Sequence, residues 1–348
     1  MDAEGRWDPA GDDFRHRALA SREILTGPKA ARNDAAALRR TPTCLPLDSL
    51  DAHPALHAAA AVWAVLLGSV VGSFLNVVIA RVPRGASVVR PRSACPACGA
   101  AIAWYDNVPI LSFVLLRARC RACGARISFR YPLVEALGGA AALLAFLRHG
   151  IAPQAAAELS FAAALVALAF IDLDTWLLPH AITWPLLGAG LVVSALGWSA
   201  APGFASSALG AAAGYGAFAL VAVVGARLFR REALGWGDVW LLAGIGAWLG
   251  ARALLPVILL ASLQGSVVGV VLLALGRSQP GPPPEPPPAA GTGVPAAPTD
   301  RPPAQEDREW IPPRHSLPLG PFLALGALQW LYLGAALARW IPALDVFR

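Results

Sequence analysis

The chain has 348 residues, of which 56% are hydrophobic and only 14% charged, with a formal net charge of +6. A soluble domain carries roughly 25% charged residues, so an ordinary water-soluble globule is excluded. The apolar surplus begins near residue 56, in an amount that a bilayer absorbs and a water-soluble core does not.

Residues 1–55 hold eight basic and nine acidic side chains and no apolar run. They fit neither a signal sequence nor a packed domain, and read as a disordered tail in which Cys44 is a lone thiol. A spanning helix needs about 20 apolar residues. The first such run covers 56–80. A polar segment, 81–131, separates it from further runs at 133–147, 158–178, 181–197, 205–228, 239–252, 254–276 and 320–341. The break between the sixth and seventh runs is expected at Arg252 and Pro256. The expected fold is therefore an all-α polytopic membrane protein of about eight transmembrane helices, with a small lobe between the first two. Segment 278–313 holds 13 prolines. Proline at that density lacks backbone donors and cannot sustain a helix, so 278–315 reads as an extended linker ahead of a last helix in 316–348.

Arginine sets the orientation. Segment 81–131 carries Arg81, Arg84, Arg90, Arg92, Arg117, Arg119, Arg121, Arg126 and Arg130, against the single acid Asp106. Arg227, Arg230 and Arg231 follow the fifth run, and the opposite loops are nearly free of positive charge. By the positive-inside rule both arginine-bearing segments face the cytoplasm. With eight crossings, even numbers of runs separate the 81–131 lobe, Asp172, Asp238 and the proline-rich linker. All four then lie on the cytoplasmic face.

Four of the five cysteines form Cys95-Pro-Ala-Cys98 and Cys120-Arg-Ala-Cys123, each followed by glycine, with 21 residues between the pairs. Two such knuckles suit a tetrahedral zinc site, and the reducing cytoplasm disfavours disulfides. Four thiolates leave no open coordination position, so the metal is structural and staples a lobe with little core. Nucleic-acid binding is the rival use of a basic zinc ribbon. Arginines beside membrane helices follow from topology alone, so no nucleic-acid partner is expected.

Ionisable groups in apolar helices are costly and usually mark function. Asp172 and Asp174 end the third run, Asp238 opens the sixth within Gly235-Trp-Gly-Asp238, and Glu135 starts the second. Residues two apart on a helix point about 200° apart, so Asp172 and Asp174 do not form a pair. Asp238 is the candidate partner of Asp172. Two adjacent carboxylates share a proton, one serving as base on a water and the other as acid toward a carbonyl. Gly235 and Gly237 would let a substrate backbone approach closely. The competing reading is that these acids cap helices or meet counter-charges, and it is preferred for Asp174.

Taken together the motifs resemble the bacterial type IV prepilin peptidases, bifunctional leader peptidase/N-methyltransferases of the Gly-x-Gly-Asp intramembrane aspartyl type. The resemblance covers about residues 60–340. It rests on Gly72-Ser-Phe-Leu-Asn76-Val-Val-Ile-Ala-Arg-Val-Pro83, Trp104-Tyr-Asp-Asn-Val-Pro-Ile-Leu-Ser-Phe113 between the knuckles, and Arg130-Tyr-Pro-Leu-Val-Glu135. Ile171-Asp-Leu-Asp174, Leu177-Leu-Pro179, Gly235-Trp-Gly-Asp238 and Leu319-Gly-Pro-Phe-Leu-Ala324 complete it. It implies a multi-pass protein of the bacterial inner membrane whose active site faces the cytoplasm. Its substrates would be type IV prepilins and type II secretion pseudopilins, cut after a glycine and N-methylated on the new terminus with S-adenosylmethionine. Asp172 and Asp238 match the family's catalytic positions, within a peptidase core at 132–277.

The methyl-donor site has no Gly-x-Gly-x-x-Gly fingerprint. The resemblance points to the 81–131 lobe, where Trp104, Tyr105, Asp106 and Asn107 offer stacking and hydrogen bonds to a cofactor. The same residues suit packing around the metal. Two positions depart from the family: His180 stands where an acidic residue usually follows Pro179, and Trp240 where a lysine commonly follows the catalytic aspartate. The alternative of another class is a non-enzymatic transporter or scaffold with a zinc ribbon. A transporter would distribute its acids along a path, whereas these cluster at one face.

Overall fold

The computed structural model describes residues 53–230, 234–275 and 317–347, all within one unit of the chain, Leu50–Arg348. Nearly all of the expected tail with Cys44, the proline-rich linker 278–315 and Arg231 lie outside the described residues. Nine α-helices run through the described parts: α1 Pro54–Arg81, α2 Leu111–Leu115, α3 Arg130–His149, α4 Pro153–Thr175, α5 His180–Ala195, α6 Phe204–Phe229, α7 Trp236–Leu249, α8 Ala251–Ala274 and α9 Gly320–Trp340. There are no strands among the described residues, only two isolated bridges in the lobe. The all-α class and the lobe between the first two long helices are as the sequence implies.

Six of the helices, α1, α3, α4, α6, α8 and α9, are long and apolar enough to cross a membrane. The other two expected runs form α5 and α7, of 16 and 14 residues. At 1.5 Å per residue they reach about 24 Å and 21 Å, short of a hydrocarbon core of about 30 Å. The break before α8 is at Gly250, not at Arg252 and Pro256. Gly250 turns the chain at φ 83°, a conformation open to glycine, and its N–H returns to Gly246 O (2.8 Å). Pro256 is accommodated inside α8.

Close approach of backbones organises the bundle. A Cβ on Gly68 or Gly138 would overlap the facing backbone of α3 or α1, and one on Gly72 would lie 2.6 Å from Glu135 Cα. α6 and α7 meet in the same way: a Cβ on Gly210 would overlap the Gly246 carbonyl, and one on Gly214 would lie 2.6 Å from Leu242 O. Without a hydrophobic drive between helices in lipid, small residues gain dispersion contact by letting backbones come together. The Ser207 hydroxyl adds a hydrogen bond to Ala247 O (2.5 Å), and the Trp248 indole N–H another to Leu186 O (2.8 Å). Those contacts sheathe α7, whose residues Val239 and Leu241–Leu249 are all buried. The main core surrounds it, with Phe161, Leu165 and Leu168 of α4 and Leu323 and Ala327 of α9. A smaller cluster joins Leu75 and Ile79 of α1 to Val134, Val166 and Ile171.

These contacts predict a sharp contrast among glycines. Gly246→Val wedges α6 from α7, and overpacking of this kind costs about 1–3 kcal/mol. Gly188→Ala and Gly216→Ala meet nothing within 4 Å. The thermal unfolding midpoint in detergent should fall for the first and hold or rise for the other two.

Candidate active site

The two cysteine knuckles are one structure repeated 25 residues apart. Cys95 N–H donates to Ala100 O (2.9 Å) and Gly99 N–H to Cys95 O (2.8 Å); Cys120 N–H donates to Ala125 O (2.8 Å) and Gly124 N–H to Cys120 O (2.9 Å). The bridges Ala94–Ala101 and Arg119–Arg126 close the two loops. Gly99 and Gly124 both take φ 72°, which suits glycine at the turn after the second sulfur. The result brings four sulfurs together: all lie within 4.8 Å of one another, and Cys95 Sγ and Cys123 Sγ are 3.9 Å apart. Zinc at about 2.3 Å from each thiolate of a tetrahedron sets sulfurs about 3.8 Å apart, so the donor set and its spacing could hold zinc. The Ala97 backbone N–H, then that of Cys98, pulls the Cys95 thiol down to about 7, while in the same cluster the Cys123 thiol is pushed up to about 11.

Between the knuckles Trp104–Asn107 forms a 3-10 turn. Trp104 is 83% exposed and lies edge-on to Tyr105 at 5.7 Å. Asp106 is engaged by Arg121 through Nε (2.8 Å) and Nη2 (2.6 Å). The Arg121 hydrogen bond holds the Asp106 carboxyl below the ordinary aspartate range. One member of the candidate cofactor set is thus committed to joining the knuckles, while the aromatic pair faces outward.

At the same end of the bundle, α4 terminates. Trp176 takes φ 57° and its N–H caps Asp172 O (2.9 Å). The Asp172 side chain, 5% exposed, turns inward, and its Oδ2 accepts the backbone N–H of Gly320, the first residue of α9 (2.9 Å). Asp174 turns outward, with its side chain 42% exposed, and pairs with Arg130 Nη1 at 2.6 Å. The separation of about 200° between residues two apart on a helix gives these two acids different environments. Arg130 also donates to Phe170 O (3.4 Å) and lies over the Phe170 ring (5.1 Å), so the start of α3 is fastened to the end of α4.

Asp238 stands in the first turn of α7, next to Gly237, which packs on the turn that follows Asp172. Its Oδ1 is buried without a hydrogen-bond partner. Gly237 packs on Leu178, with room for no side chain: a Cβ would lie 2.7 Å from Leu178 Cβ. The close approach that glycine provides here is to the chain's own α4–α5 turn.

Two features escaped the sequence reading. The departures His180 and Trp240 belong to one ring cluster: His180 stacks on Trp184 (5.1 Å), and Trp240 meets His180 (6.4 Å), Trp184 (5.9 Å) and Tyr215 (5.0 Å). At the opposite end of the bundle Glu158, only 7% exposed, receives Arg148 (2.8 Å) and His149 (2.9 Å). An acid inside an apolar run was the available signal for Glu158.

Known proteins converge on one family. Residues 66–149 match the bacterial peptidase A24 N-terminal domain, and residues 159–270 match the type IV leader peptidase family. A prepilin leader peptidase/N-methyltransferase of Myxococcus xanthus is 45% identical, over 81% of this chain and 93% of its own length. One of Burkholderia pseudomallei is 39% identical, over 62% of this chain and 77% of its own length. One of Neisseria gonorrhoeae is 38% identical, over 62% and 83% respectively. No solved structure matches. A relative so similar over nearly its whole length leaves one reading: this chain belongs to the prepilin leader peptidase/N-methyltransferase family.

Proposed function

We propose that the chain removes the leader peptide from type IV prepilins and type II secretion pseudopilins, and then N-methylates the residue so exposed. The observation that carries this is the placement of buried Asp172 at the end of α4 and of Asp238 in the first turn of α7, at one end of the bundle, in a chain whose relatives bear the peptidase/methyltransferase name. In this reading Asp172 and Asp238 are the catalytic residues. One carboxylate takes a proton from water as the oxygen attacks the carbonyl of the scissile bond, and the other donates a proton to that carbonyl. Return of a proton to the amide nitrogen releases the leader as a carboxylic acid and the mature protein as a free amine. The free Oδ1 of Asp238 is the open acceptor for the water, and the Gly320 N–H keeps Asp172 from rotating away.

The active end is assigned to the cytoplasmic face of the bacterial inner membrane. Arg81 through Arg130 and then Arg227 and Arg230 gather at that end, which supports the assignment. α5 and α7 complete the eight passes as short helices sheltered among longer ones. The divisions follow: a transmembrane helix at 56–80, a metal lobe at 81–131, a peptidase core at 132–277, and a last helix in 316–348. Zinc is assigned to Cys95, Cys98, Cys120 and Cys123 as a structural ion, consistent with four ligands of one kind and no fifth polar group among them. S-Adenosylmethionine would supply an electrophilic methyl group to the new amine. Trp104 presents an exposed ring suited to stacking, Tyr105 already carries the Arg121 guanidinium over its ring (5.7 Å), and Asn107 is the remaining polar neighbour, because Asp106 is held by Arg121.

Asp172→Asn and Asp238→Asn should each lower leader cleavage by about 10²–10⁴-fold in reconstituted membranes, the range lost with a general acid or base. Wild-type rates in either variant would remove the pair from the mechanism. Cys95→Ser should lower the zinc content measured by elemental analysis while the aspartate variants keep theirs. Unchanged zinc in Cys95→Ser would reject the four-cysteine site.

A further inference from the structure

The short helix α2 is held against the first turns of α3. Ile110 N–H, immediately before α2, donates to Glu135 Oε2 at 2.7 Å, and Glu135 is buried. Ser112, the inward residue of α2, accepts Val108 N–H (3.0 Å) and donates to Tyr105 O (3.1 Å). Glu135 lies five residues after Arg130, about 7–8 Å along α3. α3 has 20 residues. That length, about 30 Å, is no more than the hydrocarbon thickness itself, so its first turns lie at the headgroup boundary and α2 lies beside them.

The outer face of α2 is apolar. Leu111, Val114 and Leu115, at i, i+3 and i+4, share one side of the helix and are 53%, 64% and 71% exposed. Phe129, also exposed, joins them edge-on to Phe113 at 6.3 Å. Around this face the lobe is cationic. Arg90, Arg92, Arg117, Arg119 and Arg126 are exposed and, among the described residues, have no ion-pair partner. The lobe's one acid, Asp106, is already neutralised by Arg121.

We propose that α2 and the arginines that follow it seat on the anionic lipid surface of the membrane the protein itself crosses. Leu111, Val114 and Leu115 enter the acyl boundary, and Arg117 and Arg119 meet lipid phosphates. An apolar face flanked by free guanidinium groups is the pattern of an interfacial helix, and the hydrogen bond to Glu135 sets its depth.

The test uses the full chain in lipid nanodiscs of phosphatidylcholine alone, and of phosphatidylcholine with about 30 mol% phosphatidylglycerol. Hydrogen exchange at residues 111–119 should be at least about threefold slower in the anionic discs, and roughly 0.5 M salt should reverse much of the slowing. Arg117→Gln with Arg119→Gln should remove the dependence on phosphatidylglycerol, and Val114→Glu with Leu115→Glu should remove protection in both discs. Exchange at residues 95–102 reports whether the lobe remains folded. If the glutamate variant loses that protection, the arginine pair decides the matter. Equal exchange in the two discs for wild type would overturn the proposal. So would protection in detergent that rises with protein concentration, which would mean that a second copy covers the face.

Discussion

A buried carboxylate among apolar helices needs a partner, and for Asp172 that partner is a backbone N–H at the start of α9. The first N–H groups of any helix lack intrahelical acceptors, and in lipid no water replaces them. Each group therefore meets the other's need. The contact tolerates nothing larger than glycine, since a Cβ on Gly320 would lie 2.5 Å from Asp172 Oδ2. It also joins residues 148 apart in sequence, so the geometry at the end of α4 depends on the last helix of the chain. The segment matched to the leader peptidase family ends at residue 270, short of the group that positions one of its two aspartates.

The second aspartate depends on a different constraint. α7 is short and surrounded, which is possible because Gly210, Gly214 and Gly246 let α6 lie directly against it. Its first turn is thereby fixed beside the α4–α5 turn, where Gly237 packs on Leu178. The ring cluster of His180, Trp184, Trp240 and Tyr215 then braces the starts of α5 and α7 against α6. That gives the two departures from the family pattern a common explanation. Read separately, a histidine for an acid and a tryptophan for a lysine each remove one charge. In space they touch, so both positions serve one cluster of packed rings.

Much of this was legible in the chain because it is local. Apolar runs mark helices, and α9 at Gly320–Trp340 lies within a residue of the expected 320–341. The knuckles were legible because each carries its ligands and its turn glycine within five residues. The separation of Asp172 from Asp174 followed from helix geometry alone. What sequence could not supply were partners fixed by packing: Gly320 for Asp172, Arg130 for Asp174, Glu135 for Ile110, and Arg148 with His149 for Glu158. The misplaced start of α8 has a local cause. Pro256 sits inside α8 without ending it, whereas Gly250, at a φ of 83°, turns the chain between α7 and α8.

The two proposed reactions have a necessary order, because the amine to be methylated does not exist until the leader is cut. With the methyl donor in the 81–131 lobe, as proposed, coupling between the two reactions comes from position. Arg130 is the structural link: it begins α3 at the edge of the lobe, and holds Asp174 and Phe170 two residues either side of Asp172. Asn76 of α1 reaches the neighbouring Tyr131 carbonyl (3.2 Å) and ties the other root of the lobe to the same point. The lobe is thus anchored at both roots beside the aspartates. In that reading a mature N-terminus leaving Asp172 and Asp238 would meet the lobe at once. Restricting the amine to that small volume raises its effective concentration at the second site, so successive reactions on one end of one bundle need no channel between them.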